Sequence, residues 1–172
     1  MKVKELMTRC VRNCLVDDTL NRAAQLMWEG DCGSVPVLGL QGNLLGIITD
    51  RDICMAAYTK GSSFSALRVR DAMAKVVWTC APDATLEAAM FTMKEKRVRR
   101  LPVMDGGGQL VGILSLNDLA REARRQAKGL GRKDICAQLA DTFGFICEGH
   151  DSSSSTLPIQ AERAGELIGA SS

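Results

Sequence analysis

Between residues 11 and 58 the spacing of apolar positions changes three times. Residues 11–15 read as a short extended run. Behind Thr19, the apolar Leu20, Ala23, Ala24 and Met27 recur at three- and four-residue intervals, the pattern of an amphipathic helix with a hydroxyl N-cap. The spacing then tightens into two short apolar runs, "SVPVL" and "LLGII", around a glycine-containing turn, which predicts a hairpin. A second helix is expected over 50–58. The same order returns later in the chain: an extended run at 76–80, a helix behind Thr85 with Leu86, Ala89, Met90 and Met93 on one face, strands "RLPVM" and "LVGIL", and a helix at 116–127.

The recurrence is a duplication. Residues 5–53 lie over 71–119 without a gap, pairing Met7 with Met73, Cys14 with Cys80, Thr19 and Leu20 with Thr85 and Leu86, Pro36 and Val37 with Pro102 and Val103, Gly46 and Ile47 with Gly112 and Ile113, and Asp52 with Asp118. The expected fold class is α+β, two β-α-β-β-α repeats at 2–60 and 67–127 joined through the Gly/Ser-rich stretch "YTKGSSFSALR" at 58–68. A C-terminal extension at 128–172 follows. Within it "RKDICAQLAD" (132–141) can form a short helix, while "GHDSSSSTLPIQ" has the composition of a disordered segment, and little function is expected there.

Composition removes several classes of function. A net charge of +2 and 4% aromatic residues give neither the basic footprint nor the stacking surface of a dedicated nucleic-acid binder. No apolar run approaches the roughly 18 residues of a membrane span, and "MKVKELMTRCVRN" lacks the apolar core of a secretory leader, so the chain reads as cytoplasmic. Seven scattered cysteines, never spaced Cys-x-x-Cys, beside a single histidine point to reduced thiols and no metal site. No catalytic residue is expected, because that histidine, His150, stands beside the serine tract of the extension. Cys14 and Cys80 occupy equivalent strand positions and read as small core hydrophobes. Gly106-Gly107-Gly108 precedes a strand where a phosphate loop would lead into a helix, so it is read as a hairpin turn.

The chemistry concentrates where the second strand ends. "GIITDRD" (46–52) and "GILSLND" (112–118) each place Thr or Ser three residues before Asp. Two readings stay open. Thr49 with Asp52, and Ser115 with Asp118, satisfy the spacing of a capping box. The same hydroxyl and carboxylate at a helix N-terminus can also receive a ribose diol with a phosphate nearby. The copies differ just ahead of the first hairpin strand, where Arg99-Arg100 replace Gly33-Ser34. These arginines either end a solvated basic helix or reach a phosphate on a ribose held by Asp118.

The tandem units, with "VPV…GIITDRD" and "LPVMD…GILSLND", resemble a pair of CBS (cystathionine β-synthase) domains, a Bateman module, over about residues 2 to 127. The resemblance implies pseudo-two-fold packing of the halves around two clefts, a regulatory module with no catalytic cofactor, and a disc-like homodimer for which the apolar residues of "RDICMAAY" are candidates. The implied ligand is an adenosine nucleotide, AMP, ADP or ATP ahead of S-adenosylmethionine, controlling a partner protein that the sequence does not name. Each cleft would combine the opening strand of one copy with the Thr/Ser-x-x-Asp of the other. One site would use Asn13, Asp18, Val35, Arg99, Arg100, Ser115 and Asp118; the other Thr79, Ala84, Leu101, Thr49, Arg51 and Asp52. Adenine would rest on strand backbone and side chains such as Val35 and Leu101. Asn13 departs from the Thr that is usual there, and the Thr79 site lacks the arginine pair. The rival reading is an interaction module that keeps the fold without a ligand.

Overall fold

Both helix starts carry the caps that their threonines predict. In the computed structural model of the chain, which describes residues 1–127 and 134–147, the Thr19 hydroxyl accepts from the Arg22 N–H and the Thr85 hydroxyl from the Ala88 N–H, each at 3.2 Å. Each cap contributes about 1 kcal/mol. The first repeat runs through β1 (Cys14–Leu15), α1 (Leu20–Glu29), β2 (Ser34–Leu38), β3 (Leu44–Thr49) and α2 (Asp50–Lys60). The second holds α3 (Leu86–Lys96), β4 (Arg100–Met104), β5 (Leu110–Ser115) and α4 (Leu116–Ala127), and α5 (Asp134–Cys147) follows.

β2 pairs with β1 in parallel and with β3 antiparallel, while β4 pairs with β5 antiparallel. The extended run expected at 76–80 contracts to one parallel bridge, Cys80 to Val103. The two hairpins share a register: Ser34 faces Thr49, Arg100 faces Ser115, and both ladders slip at the same place, between Val37 and Leu38 and between Val103 and Met104. Gly106–Gly108 do form the hairpin turn. Asp105 Oδ1 accepts from the Gly107 and Gln109 N–H groups at 2.9 Å each, and Gly108 adopts φ +75°.

Each half buries its own core. Val35, Val37 and Ile48 pack on Leu20, Ala23 and Met27 in the first, and Leu101, Val103 and Leu114 on Leu86, Ala89 and Met93 in the second. These cores are completed by exchange. Val3, with no exposed surface, and Met7 lie in the second core, whereas Leu67 and Val69 lie in the first. The Val3 and Lys4 N–H groups donate to Ala84 O and Pro82 O at 2.9 Å, and Thr8 and Ile113 bond each other's backbone in both directions. Reciprocally, the Val69 N–H donates to Asp18 O at 2.9 Å, and Ala74 and Ile47 make the same double contact. Each repeat therefore lends its opening segment to the other.

Gly46 and Gly112 permit that exchange. A Cβ on Gly46 would stand 2.7 Å from Ala74 O and 2.8 Å from Met73 Sδ; one on Gly112 would stand 2.5 Å from Met7 Sδ and 3.1 Å from Thr8 O. The incoming backbone lies where a side chain would be.

The helix anticipated at 132–141 runs on to Cys147 and covers α3 and α4. Its Leu139 and Thr142 are buried, and Phe143 and Ile146 pack against the second core. His150 and the segment read as disordered lie outside the described residues.

Gly46→Ala should lower unfolding stability by about 1–3 kcal/mol in urea denaturation, the usual cost of overpacking. Gly106→Ala, where an added Cβ meets nothing within 4 Å, should change it by less than about 0.5 kcal/mol.

Candidate functional site

The exchanged opening segment creates a cleft. Once residues 3–8 are anchored on the second repeat, the chain that follows them passes the end of β5 and the start of α4. Thr8, Cys10, Val11 and Arg12 form one wall, Gly30–Ser34 of the α1–β2 loop a second, and Arg100, Ile113, Ser115, Asn117, Asp118 and Arg121 the third. The enclosed volume is about 410 Å³, within the range of roughly 300–1,000 Å³ that small-molecule sites occupy.

Ser115 and Asp118 make both halves of a capping box. Asp118 Oδ2 accepts from the Ser115 N–H at 2.8 Å and from the Ser115 hydroxyl at 2.6 Å, and the Asp118 N–H donates back to Ser115 Oγ at 3.3 Å. Its other oxygen, Oδ1, is paired with Arg121. The carboxylate is thus buried and oriented at the helix N-terminus, with one oxygen held by the cap and the other by a cation whose own side chain is largely exposed. Arg100 differs from its neighbours. Arg12 pairs with Glu29 at 3.2 Å and Arg121 with Asp118, but the half-buried Arg100, beside Ser115 on the paired strand, has no carboxylate within ion-pair distance among the described residues. Its Nη2 lies 3.6 Å from where a Cβ on Gly33 would be. Ser34, also in the lining, keeps its hydroxyl buried without a hydrogen-bond partner, a state that costs about 1–3 kcal/mol until a polar group arrives.

Of the seven residues read from the sequence for this site, Arg100, Ser115 and Asp118 line the cleft together. The others stand elsewhere. Val35 is wholly inside the first core, Asp18 Oδ2 accepts the Leu15 N–H in a turn at 2.8 Å, Asn13 donates to Val11 O, and Arg99 is exposed outside the lining. Arg12 and Arg121 were missed. Comparison of the copies carries the signal for them, since their counterparts are Trp78 and Met55.

The other set is built differently. Thr49 and Asp52 repeat the capping box, with Asp52 Oδ2 accepting from the Thr49 N–H at 2.9 Å and the hydroxyl at 2.8 Å. Among the described residues no cation pairs with Asp52. Arg51 and Thr79 are exposed, Ala84 packs against the second core, and Leu101 is fully buried within it. Where the first cleft has Arg12, Arg100 and Arg121, the equivalent positions hold Trp78, Ser34 and Met55. Trp78 lies under Lys96, whose Nζ is 4.4 Å from the ring centroid.

The equivalent cysteines are not nucleophiles. Burial, with Asp18 adding to it, pushes the Cys14 thiol up to about 12, and burial pushes Cys80 up to about 11. Both remain protonated at neutral pH. No group of three or more metal-ligating side chains is found among the described residues, nor is any helix there long and apolar enough to cross a membrane.

The CBS domain family model matches residues 3–58 and 69–125. The chain is 36% identical over 118 residues to the CBS domain-containing protein YhcV of Bacillus subtilis, an alignment covering 69% of this chain and 82% of that protein. It superposes with a TM-score of 0.64 on the crystal structure of Hypoxic Response Protein I with two coordinated zinc ions, at 30% identity over 70% of this chain and 98% of that one. The CBS domain pair of protein MJ0100, solved in complex with 5′-methylthioadenosine and S-adenosyl-L-methionine, superposes at 0.67 with 21% identity over 73% of this chain and 98% of its own, a likeness of fold alone.

The difference between the buried Cys14, the half-buried Cys80 and the exposed thiols is directly observable. At pH 8, a thiol reagent followed by peptide mass mapping should modify the exposed Cys10 and Cys54 first. Cys14 should react only on unfolding and the half-buried Cys80 more slowly than the exposed thiols; early modification of Cys14 in native protein would show that its strand is open.

Proposed function

The chain belongs to the CBS domain family, and on that footing we propose that it is a regulatory module that binds an adenosine nucleotide in the cleft between its repeats and transmits that occupancy to a partner protein. The observation that carries this reading is Arg100, a half-buried cation with no carboxylate partner, set beside the Ser115–Asp118 capping box. A phosphate answers its charge. A ribose hydroxyl can donate to Asp118 Oδ1 in exchange for Arg121, which is then freed towards the same phosphate. With Arg12, Arg100 and Arg121 in the lining, AMP, ADP and ATP fit this cleft better than S-adenosylmethionine, whose sulfonium adds positive charge. The second set, with Trp78 and Met55 where the first has Arg12 and Arg121, suits a ligand carrying less phosphate. Pairing of two copies through α2 belongs to the same reading, supported by Tyr58, which is 82% exposed there.

A module without a ligand is the alternative, favoured by the completeness of the Ser115–Asp118–Arg121 network as it stands. Calorimetric titration separates the two. ATP and AMP should bind the parent protein, and Arg100→Ser, which installs the residue of the other copy and breaks no ion pair, should weaken ATP about 10- to 100-fold, the effect of losing one charged hydrogen bond. Adenosine should be nearly unaffected. Absence of binding by every adenosine ligand would establish the alternative, whereas equal weakening of adenosine and ATP would overturn the phosphate role of Arg100.

A further inference from the structure

The cleft between the repeats holds a reactive group that recognition of a nucleotide does not use. Cys10 is an exposed thiol in the wall formed by the opening segment. A turn in which the Val11 N–H donates to Arg9 O at 3.0 Å carries it there, between Thr8, which is tied to Ile113, and Arg12. The other two walls present Arg100, which has no carboxylate within ion-pair distance among the described residues, and Ser34, 4% exposed, whose hydroxyl has no hydrogen-bond partner. The thiol therefore shares an enclosed volume of about 410 Å³ with a cation and a buried hydroxyl that both lack partners. An occupant bearing carboxylates is met by the walls as well as by the sulfur.

The exposed thiol of α2 provides the contrast. Cys54 opens on the groove between α1 and α2, whose lining includes Asp31 and Asp50 and, among the described residues, no Lys or Arg. The cleft lining carries Arg12, Arg100 and Arg121 against Asp31 and Asp118, and Asp118 is already held by Arg121. Two exposed thiols thus face surroundings of opposite charge.

We propose that Cys10 is a site of reversible S-thiolation by an anionic low-molecular-weight disulfide of the glutathione disulfide class, and that the group it acquires fills the cleft. Each half of such a disulfide carries two carboxylates and one ammonium, so the arginines of the cleft draw it in and orient it. The exchange needs no further reagent. The Cys10 thiolate, its proton given to solvent, attacks one sulfur of the disulfide; the new Sγ–S bond forms as the old S–S bond breaks, and the electron pair leaves on the departing glutathione thiolate, which takes up a proton. Cys10 is oxidised, one glutathione is released reduced, and a second thiol reverses the step by the same exchange. While the adduct stands, any other occupant of the cleft is excluded.

The test compares two disulfides of opposite charge, glutathione disulfide and cystamine, on the full chain without nucleotide, with the rates at Cys10 and Cys54 read by peptide mass mapping. The ratio of the Cys10 rate to the Cys54 rate should be about 10-fold higher with glutathione disulfide than with cystamine, and about 1 M salt should bring the two reagents together. Arg100→Ser should slow glutathionylation of Cys10 about 3-fold or more and leave Cys54 unchanged, with continued protection of the buried Cys14 reporting an intact first core. The proposal is overturned if the two reagents give the same ratio, if salt does not alter their difference, if Arg100→Ser leaves the Cys10 rate as it was, or if the product is a disulfide between Cys10 and Cys32 of the facing wall in place of the mixed disulfide. The readout requires no nucleotide, so it stands or falls apart from the adenosine reading.

Discussion

Two glycines carry the architecture. At Gly46 and Gly112 the backbone of the opposite repeat approaches to where a β-carbon would stand, and on that approach depends the exchange that puts Val3 and Met7 into one core and Leu67 and Val69 into the other. The cleft is a by-product of the same contact. Thr8 is tied to Ile113 by two backbone hydrogen bonds, so the next four residues must run alongside the cap of α4, and Arg12 arrives opposite Arg121 without any secondary structure of its own to hold it there. A side chain at Gly112 would disturb packing and cleft together, and one at Gly46 the packing of the first core.

Much of this is legible in the sequence. The duplication, the helices behind Thr19 and Thr85, the hairpins and the Thr/Ser-x-x-Asp caps are local features, decided by spacing and by residues within four positions of one another, and each appears where the pattern places it. What escaped was non-local. Nothing in "KVKELM" says that Val3 belongs with Leu86 and not with Leu20, because its apolar spacing would serve either core equally well. Val35 and Leu101, expected against a ligand, lie inside the cores, because strand alternation does not reveal which face meets the protein interior when a strand is covered on both sides; all of "SVPV" is buried. Arg12 and Arg121 carry no motif at all; Arg121 stands on α4 beside Asp118, and Arg12 enters the cleft only through the exchange.

Duplication also separates what the fold needs from what each half has acquired. The capping boxes at Thr49–Asp52 and Ser115–Asp118 agree in their hydrogen-bond geometry, which marks them first as the start signals of α2 and α4. Around them the copies diverge in charge: Arg12, Arg100 and Arg121 against Trp78, Ser34 and Met55. The helical faces diverge in the same manner, Lys94 and Arg97 against Trp28 and Asp31. One scaffold thus presents two chemically distinct ends, and α5 lies on only one of them.

The loop from Asp31 to Gly33 is a thin partition, with the cleft on one side and the α1–α2 groove on the other. Its backbone has little slack, since Asp31 already holds φ 45° and the Cys32 N–H is tied to Met27 O at 3.0 Å. Occupants of the two sides that favour different positions of such a partition are linked by thermodynamic reciprocity: the factor by which the first alters the affinity of the second equals the factor by which the second alters the first. Coupling across this wall would run equally well in both directions, so that filling the groove alters the cleft as much as filling the cleft alters the groove.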